Sequence, residues 1–461
     1  MNTTDNESKK FDGRKISPRK FVKTISLIVG TIFLVCALSF VFFPDPFINT
    51  FVKNKITNAF TEAYPEYSLQ IGGMHYSILK NRLECDSIRL KANDSTFTCR
   101  LDSFSISGIS WMKIITQSGF KPNIISNSII GAQNIVFSFN KSQDELRIGR
   151  LHISLPDSGM LIDSIRFHPL INDEHFFAKS QFRQTRFRLD ISQIKIIGFD
   201  FLSYLERDTY SAEKIILKDV FADILLNKDK PSDENLANPR MPNEIFSSMK
   251  EIICIDSLQI INGQLKYYER VAVNLPPGVV TFSKFKISAT GIANHTAQPE
   301  TTIIRGDGLF MNSAAMKVFM AIPLTSKDFS LHYSGSLGRM NASDLNAFIE
   351  PVENRLIKSG VIQNANYNIN VNSGNASGNL RVAYDDLAIA ISNKKTGFDL
   401  GLLNHISNFI GDRFIIRTTN LPDEKGSMKI GEIKHTRNPG DYFFQYLWFS
   451  LRSGVGDVVG F

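Results

Sequence analysis

The chain has 461 residues, of which 43% are hydrophobic and 21% charged, and this composition excludes disorder for most of its length. Its formal net charge is +7, but residues 1–23 hold seven Lys and Arg against three Asp and Glu, and the remainder holds 45 basic against 42 acidic residues. A basic surface that tracks phosphates is therefore not expected, and we predict no nucleic-acid partner.

Residues 24–43 form an uncharged apolar stretch, TISLIVGTIFLVCALSFVFF, which Pro44 follows. A helix of this length covers about 30 Å, the hydrocarbon thickness of a bilayer. We therefore predict a transmembrane helix. Its candidate anchor residues are Thr24, Leu27, Ile32, Leu34, Leu38 and Phe42. A cleaved secretory signal is the alternative, but its apolar core is shorter, at about 7 to 15 residues.

The basic flank in residues 1–23 sets the predicted orientation of this helix. By the positive-inside rule these residues form a cytoplasmic tail, and everything after Pro44 lies on the far side of the membrane. In residues 46–64 apolar side chains recur three and four apart, which predicts an amphipathic linker helix ended by Pro65. Such a helix either lies on the membrane surface or, as we favour, plugs the first layer of the following domain.

From Tyr67 onward the hydrophobic pattern has a period of two, and the chain is rich in Phe, with 36, and poor in Trp, with two. This usage is typical of strands, and we predict a mostly β fold of about 25 strands at roughly 16 residues each. The alternation is plainest in residues 364–372, NANYNINVN. There Tyr367, Ile369 and Val371 point to one face and Asn residues to the other, so one face of the sheet is apolar.

One phrase recurs along the strands: an apolar residue, Asp-Ser, an apolar residue, any residue and another apolar residue. Its copies are CDSIRL at 85, LDSFSI at 101, IDSIRF at 162 and IDSLQI at 255, with YDDLAI at 384 as a variant. Apolar residues at i and i+3 would face opposite sides of a flat strand, so we predict a bulge or bend at Asp-Ser. The phrase also resembles an O-glycosylation acceptor of some bacteria, which stays an alternative.

The polar segment 226–244 is the predicted loop between a first half, 66–225, and a second half, 245–420. We expect short helices over 343–358, 402–410 and 442–451, the last within a C-terminal segment, 421–461. Cys85 and Cys99 flank a turn, which we expect to pair Cys99 with Ile88; a disulfide between them is a minor alternative.

The predicted C-terminal helix carries an aromatic stripe. Its members are Phe443, Phe444, Leu447, Trp448 and Leu451. Such a stripe suits contact with the far membrane or with a partner there, while the alternative is a cap over the last strands.

The chemistry-bearing residues form no catalytic or metal-binding pattern. The eight His are scattered, and no nucleophile elbow, phosphate-binding glycine loop or dinucleotide fingerprint occurs. The Asp of each Asp-Ser phrase is better explained as a turn former than as an acid or base. We therefore predict a protein that is not an enzyme and has no cofactor.

Two regions resemble the AsmA-like family of bacterial envelope proteins. The first is the basic tail, the span, the short helix and YSLQIGGMHYSILKNRLECDSIRL. The second is LHYSGSLGRMNASDLNAFIEPV followed by IKSGVIQNANYNINVNSGNASGNLRVAYDDLAIAI. The resemblance implies a long, twisted, antiparallel, groove-like sheet that projects from the bacterial inner membrane into the periplasm.

The resemblance also implies a function. Members of the family are thought to hold or carry lipids towards the outer membrane, so the implied partners are membrane lipids and an outer-membrane or periplasmic protein. Tyr367, Ile369 and Val371 then become candidate groove residues. A non-enzymatic scaffold that templates other envelope proteins through free strand edges is the alternative. About 25 strands would make a groove on the order of 100 Å long.

Overall fold

The computed structural model describes residues 53–77, 80–110, 122–295, 301–391 and 416–460. The predicted tail, the predicted span 24–43 with its anchor residues, and the predicted helix over 402–410 lie outside these residues. Within the described ranges no helix is both long enough and apolar enough to cross a bilayer.

The described part of the chain is mostly β, with eighteen strands in one sheet and a few short helices. The strands are β1 Tyr67–Ile71, β2 Met74–Ser77, β3 Arg82–Ala92, β4 Phe97–Ser107, β5 Ile129–Phe139, β6 Asp144–Ser154, β7 Gly159–Pro169, β8 Gln184–Ile197, β9 Thr209–Asn227, β10 Ile252–Arg270, β11 Gly278–Ala293, β12 Thr302–Phe310, β13 Ala314–Ile322, β14 Leu331–Leu337, β15 Met340–Asn341, β16 Arg355–Asn372, β17 Asn375–Ile391 and β18 Ile430–Thr436. The α-helices are α1 Lys53–Ala63, α2 Asp173–Ala178, α3 Phe201–Arg207, α4 Pro242–Ser248, α5 Asn346–Glu353 and α6 Phe443–Val459.

Neighbouring strands of the sheet pair antiparallel, except that β9 and β10 pair in parallel. The sheet is therefore mixed, and the prediction of an antiparallel sheet throughout is wrong at this pair. β1 and β2 share one position beside β3, and β14 and β15 share one beside β16, so the strands occupy about sixteen positions. The described residues hold 18 strands, fewer than the 25 or so predicted for the chain, and several strands are longer than expected: β9 and β10 each run for 19 residues. At about 4.8 Å per strand the sheet is about 70 Å across its strands.

The predicted bends are present at several Asp-Ser phrases. Ser87 and Ser164 have φ values of 53° and 57°, and Asp386 in the YDDLAI variant has a φ of 52°. The register with the neighbouring strands is unbroken at Ser87 and Ser164, so the left-handed residues bend the strands without shifting their pairing, and the apolar residues at i and i+3 face the same side. Around Asp386 the register itself shifts, as in a bulge. In the LDSFSI copy no residue has a positive φ. This copy nevertheless lies between two strands that each carry a left-handed residue opposite it, Ser87 in β3 and Asn134 in β5.

The copy at residue 255 does not bend. No residue of this copy has a positive φ, and the left-handed residue of β10 is Asn262 instead. The predicted pairing of Cys99 with Ile88 is also wrong. Cys99 pairs with Leu90, because the turn between β3 and β4 is longer than two residues.

The two cysteines of β3 and β4 are free thiols, so the alternative of a disulfide between Cys85 and Cys99 is not realised. Burial raises the pKa of each thiol to about 12, so both stay protonated at neutral pH and behave as small apolar residues.

The left-handed conformation at Ser164 gives a direct test of the bend. Replacing Ser164 with valine puts a β-branched side chain at a φ of 57°, and we expect a loss of about 1–2 kcal/mol in the free energy of unfolding. The matched replacement Ser164→Gly should leave stability within about 0.5 kcal/mol. Chemical denaturation of both variants checks this, and equal effects of valine and glycine would contradict a strained bend.

Helix α1 closes the N-terminal end of the sheet. Ile56 and Phe60 are 1% and 4% exposed and pack with Ile71, Met74 and Leu83. The part of the predicted linker helix that is described, Lys53–Ala63, therefore plugs the first layer of strands, as we favoured over a membrane-surface position.

Candidate functional site

A continuous apolar row crosses the whole sheet on one face. Directly paired residues of neighbouring strands point to the same side, so the strand register identifies the row. The central apolar row consists of Met74, Cys85, Phe104, Ala132, Leu151, Ile162, Ile194, Leu217, Ile260, Ile287, Gly306, Val318, Gly335, Tyr367, Leu380 and Gly431. No charged residue interrupts it.

A second apolar row runs beside the first, two residues along each strand. It consists of Tyr76, Leu83, Ile106, Ile130, Ile153, Met160, Ile196, Ile215, Leu258, Ala289, Ile304, Met320, Tyr333, Ile369, Gly378 and Ile433. The residues between the two rows face the opposite side and are mostly polar, as with Glu84, Lys195 and Asn368. The sheet thus has an apolar face and a polar face.

The apolar face is covered at its two ends and less covered between them. At the N-terminal end α1 buries Met74 and Leu83, while at the C-terminal end Ile369 and Ile433 are fully buried. In the middle strands, from β6 to β10, the side chains of both rows are only half-buried. Their remaining exposed surface is aliphatic, so an apolar ligand would make its contacts with these middle strands.

Helix α6 covers the C-terminal end through close contacts with small residues. A Cβ atom on Gly454 would lie 2.6 Å from Cγ1 of Ile433 and 3.1 Å from Cβ of Leu380, so only glycine lets the helix approach so closely. Tyr446 is fully buried, and its hydroxyl donates a hydrogen bond to the carbonyl of Gly374 at 3.0 Å. Both apolar rows therefore continue beneath the helix.

The three predicted groove residues lie in this covered region. Ile369 and Val371 are 0% and 1% exposed and belong to the core beneath α6, so they line a closed core and not an open surface. Tyr367 packs at the margin of the same core, with its ring 5.9 Å from that of Tyr333. Burial raises the pKa of Tyr367 to about 12, so its hydroxyl stays protonated.

The predicted C-terminal stripe is divided between two environments. Phe443, Leu447 and Leu451 pack against the core, whereas Phe444 and Trp448 are 79% and 49% exposed. The helix thus caps the last strands and still leaves aromatic side chains in solvent. It also continues to Val459, beyond its predicted end at 451, because tertiary packing of the glycines outweighs their poor helix propensity.

Side chains of α6 also occupy the outer edge of β18, the last described strand. The main-chain N–H of Glu432 donates to a carboxylate oxygen of Asp457 at 2.8 Å, and that of Lys434 donates to the hydroxyl of Ser453 at 3.1 Å. An edge strand can template another chain only through free N–H and C=O groups. These two N–H groups are taken, which disfavours templating at this edge.

The segment 228–251 connects β9 to β10 and includes α4. Because these strands are parallel, the connection must travel their full length. At its far end Met241 is fully buried with Met320 and Ile322, and Glu244 forms an ion pair with Arg437 at 2.8 Å. The connection thus ties the first half of the chain to the C-terminal core.

No grouping of three or more His, Cys, Asp or Glu side chains in the described ranges is arranged to hold a metal ion. The Asp residues of the Asp-Ser phrases make structural hydrogen bonds: Asp102 accepts one from Asn134 at 3.0 Å, and Asp163 accepts one from Gln193 at 3.0 Å. These contacts fit the role of Asp as a turn and bulge residue.

No known protein-family model matches the chain, and no curated protein matches its sequence. The resemblance to the AsmA-like family therefore stays a prediction from the two ends of the chain. The half-buried residues of the middle strands, such as Ile194 and Leu217, were not singled out from the sequence. Among the middle strands, Ile162, Leu258 and Ile260 lie within Asp-Ser phrases and so carried a local signal of their position in the rows.

Proposed function

We propose that this chain is a membrane-anchored periplasmic protein that holds or conducts lipids along its apolar face and so contributes to biogenesis of the bacterial outer membrane. The observation that carries the proposal is the pair of uninterrupted apolar rows, half-buried in the middle strands and covered at each end by a helix. A half-buried aliphatic surface of this extent gains free energy when acyl chains remove it from water, at about 25 cal/mol per Å².

The span 24–43 would anchor the chain in the inner membrane beside the N-terminal end of the sheet. The exposed aromatic residues Tyr442, Phe444 and Trp448 lie at the opposite end, about 70 Å away by strand spacing, and would meet a partner or a second membrane. A scaffold that templates other proteins is the weaker alternative, since α6 occupies N–H groups on the edge of β18.

Site-specific photo-crosslinking of the full-length chain in cells tests the proposal. A photoreactive amino acid at Ile194 faces the apolar side, whereas one at the neighbouring Lys195 faces the polar side. We expect lipid adducts at Ile194, at least about tenfold above those at Lys195, because the two positions differ mainly in the face they occupy. Mass spectrometry of the adducts identifies the lipid.

A second matched pair, Leu151 and His152, should repeat the contrast in a different strand. Equal labelling on the two faces, or lipid adducts at neither, would refute the lipid-binding proposal.

A further inference from the structure

The polar face of the first half carries a second feature, a row of arginines. Arg89 of β3 is paired directly with Arg100 of β4, and Arg147 of β6 directly with Arg166 of β7, while Val136 of β5 lies between the two pairs on the same row. We call these four residues the arginine row. All four side chains are exposed.

Direct cross-strand pairing of like charges destabilises a sheet, and here it occurs twice in one row. Neighbouring acids offset it only in part. Arg147 contacts Glu145, and Arg166 lies 3.6 Å from Asp190, but both arginine side chains stay about 60% exposed, and exposed ion pairs are weak. Arg89 and Arg100 have no acidic partner among the residues that the structure describes. An arrangement that lowers the stability of the fold and has no structural role is typical of a binding surface.

A cleft of about 620 Å³ lies along the row. Arg100, Arg147 and Arg166 line it together with Asp102, Asp190 and Asp219, and its floor contains Gly149 and Ser164. The floor stays open because these residues are small: a Cβ atom on Gly149 would lie 2.9 Å from Cβ of Ser164. The guanidinium groups thus border a space that a ligand can enter.

We infer that the arginine row binds linear polyphosphate, with one phosphate at each arginine pair. The overall charge balance did not predict such a basic surface, because the row is local to one face of the first half. Arginine donates two parallel hydrogen bonds to an oxyanion, so a facing pair offers four donors to one phosphate. The centres of the two pairs are three strand spacings apart, or about 14 Å. A ligand whose phosphates span this distance engages both pairs at once and gains from bivalency. This inference concerns the polar face and is independent of lipid binding on the apolar face.

Binding of linear polyphosphate and of inorganic phosphate to the detergent-solubilised full-length chain, at one fixed ionic strength, tests the inference. We expect polyphosphate to bind at least about tenfold more tightly than single phosphate, and the double variant Arg100→Gln/Arg147→Gln to lose most of that advantage. The matched control is Arg82→Gln in β3, since Arg82 is exposed, pairs with Glu84 at 2.8 Å and lies outside the row. The control should change affinity by less than about twofold.

Thermal melting separates a binding defect from a folding defect. Since Arg100→Gln/Arg147→Gln removes like-charge repulsion from both pairs, the double variant should melt no lower than the parent protein. No preference for polyphosphate, or equal losses in the double variant and the control, would overturn the inference. Binding to anionic phosphatidylglycerol vesicles without binding to polyphosphate would overturn the linear ligand in favour of a membrane surface.

Discussion

Replacing Ile369 with aspartate is expected to unfold the C-terminal half of the sheet. Ile369 is 0% exposed beneath α6, and its cross-strand neighbours are Tyr333 and Gly378, neither of which offers a positive charge. An unpaired carboxylate in such a core costs several kcal/mol, on the order of the whole stability of a domain. Soluble yield and chemical denaturation of the full-length variant measure the loss.

The control for this experiment is the same substitution on the same face in the middle strands. Ile194 is only half-buried, so the carboxylate of Ile194→Asp can stay hydrated, and we expect the protein to fold with a loss of about 1–2 kcal/mol. This variant should, however, lose lipid adducts at neighbouring positions. A soluble and fully stable Ile369→Asp would show that the core beneath α6 is open in solution.

Removing residues 442–461 is expected to have the second-largest effect, namely loss of the folded C-terminal core. Without α6 the side chains of Leu380, Ile369 and Ile433 face water, and the edge of β18 regains free N–H groups. Loss of the buried Tyr446 alone corresponds to about 3–5 kcal/mol. We therefore expect aggregation of the truncated chain, which size-exclusion chromatography and melting curves would report.

The matched control replaces only the exposed aromatic residues of the same helix. Phe444→Ser/Trp448→Ser removes side chains that are 79% and 49% exposed, so the melting temperature should stay within about 2 °C of the parent. If a partner or membrane uses these residues, the envelope phenotype is lost although the fold is kept. An unchanged melting curve after complete removal of 442–461 would contradict the capping role of α6.

The alternation of residues 364–372 predicted correctly that Tyr367, Ile369 and Val371 share an apolar face. It did not predict that Ile369 and Val371 lie in a closed core, because the helix that covers them begins 72 residues beyond Val371, at Phe443. Local alternation identifies the face of a strand, while the cover depends on contacts distant in sequence.

The structure of the Asp-Ser phrases was also predicted only in part. Their apolar spacing predicted the left-handed residues at Ser87 and Ser164, but an identical spacing at Ile255 forms a regular strand. In β10 the left-handed residue is Asn262, which donates a hydrogen bond to the left-handed residue Asp219 of β9, so the position of the bend matches a neighbouring strand that local spacing does not reveal. The arginine row was missed for the same reason, since it exists only once the register of five strands is known.

The parallel pairing of β9 with β10 has a consequence for the order of folding. Many strands on either side of this pair join their sequence neighbours through short turns. Each half therefore has local contacts, and its hairpins can form one after another. Thr209 and Ile252, which pair across the parallel junction, are separated by 43 residues of chain. Closing a loop of that length costs more conformational entropy than closing a hairpin. We therefore expect the two halves to form first as separate kinetic units, and their union at β9 and β10 to be the late step that makes one sheet.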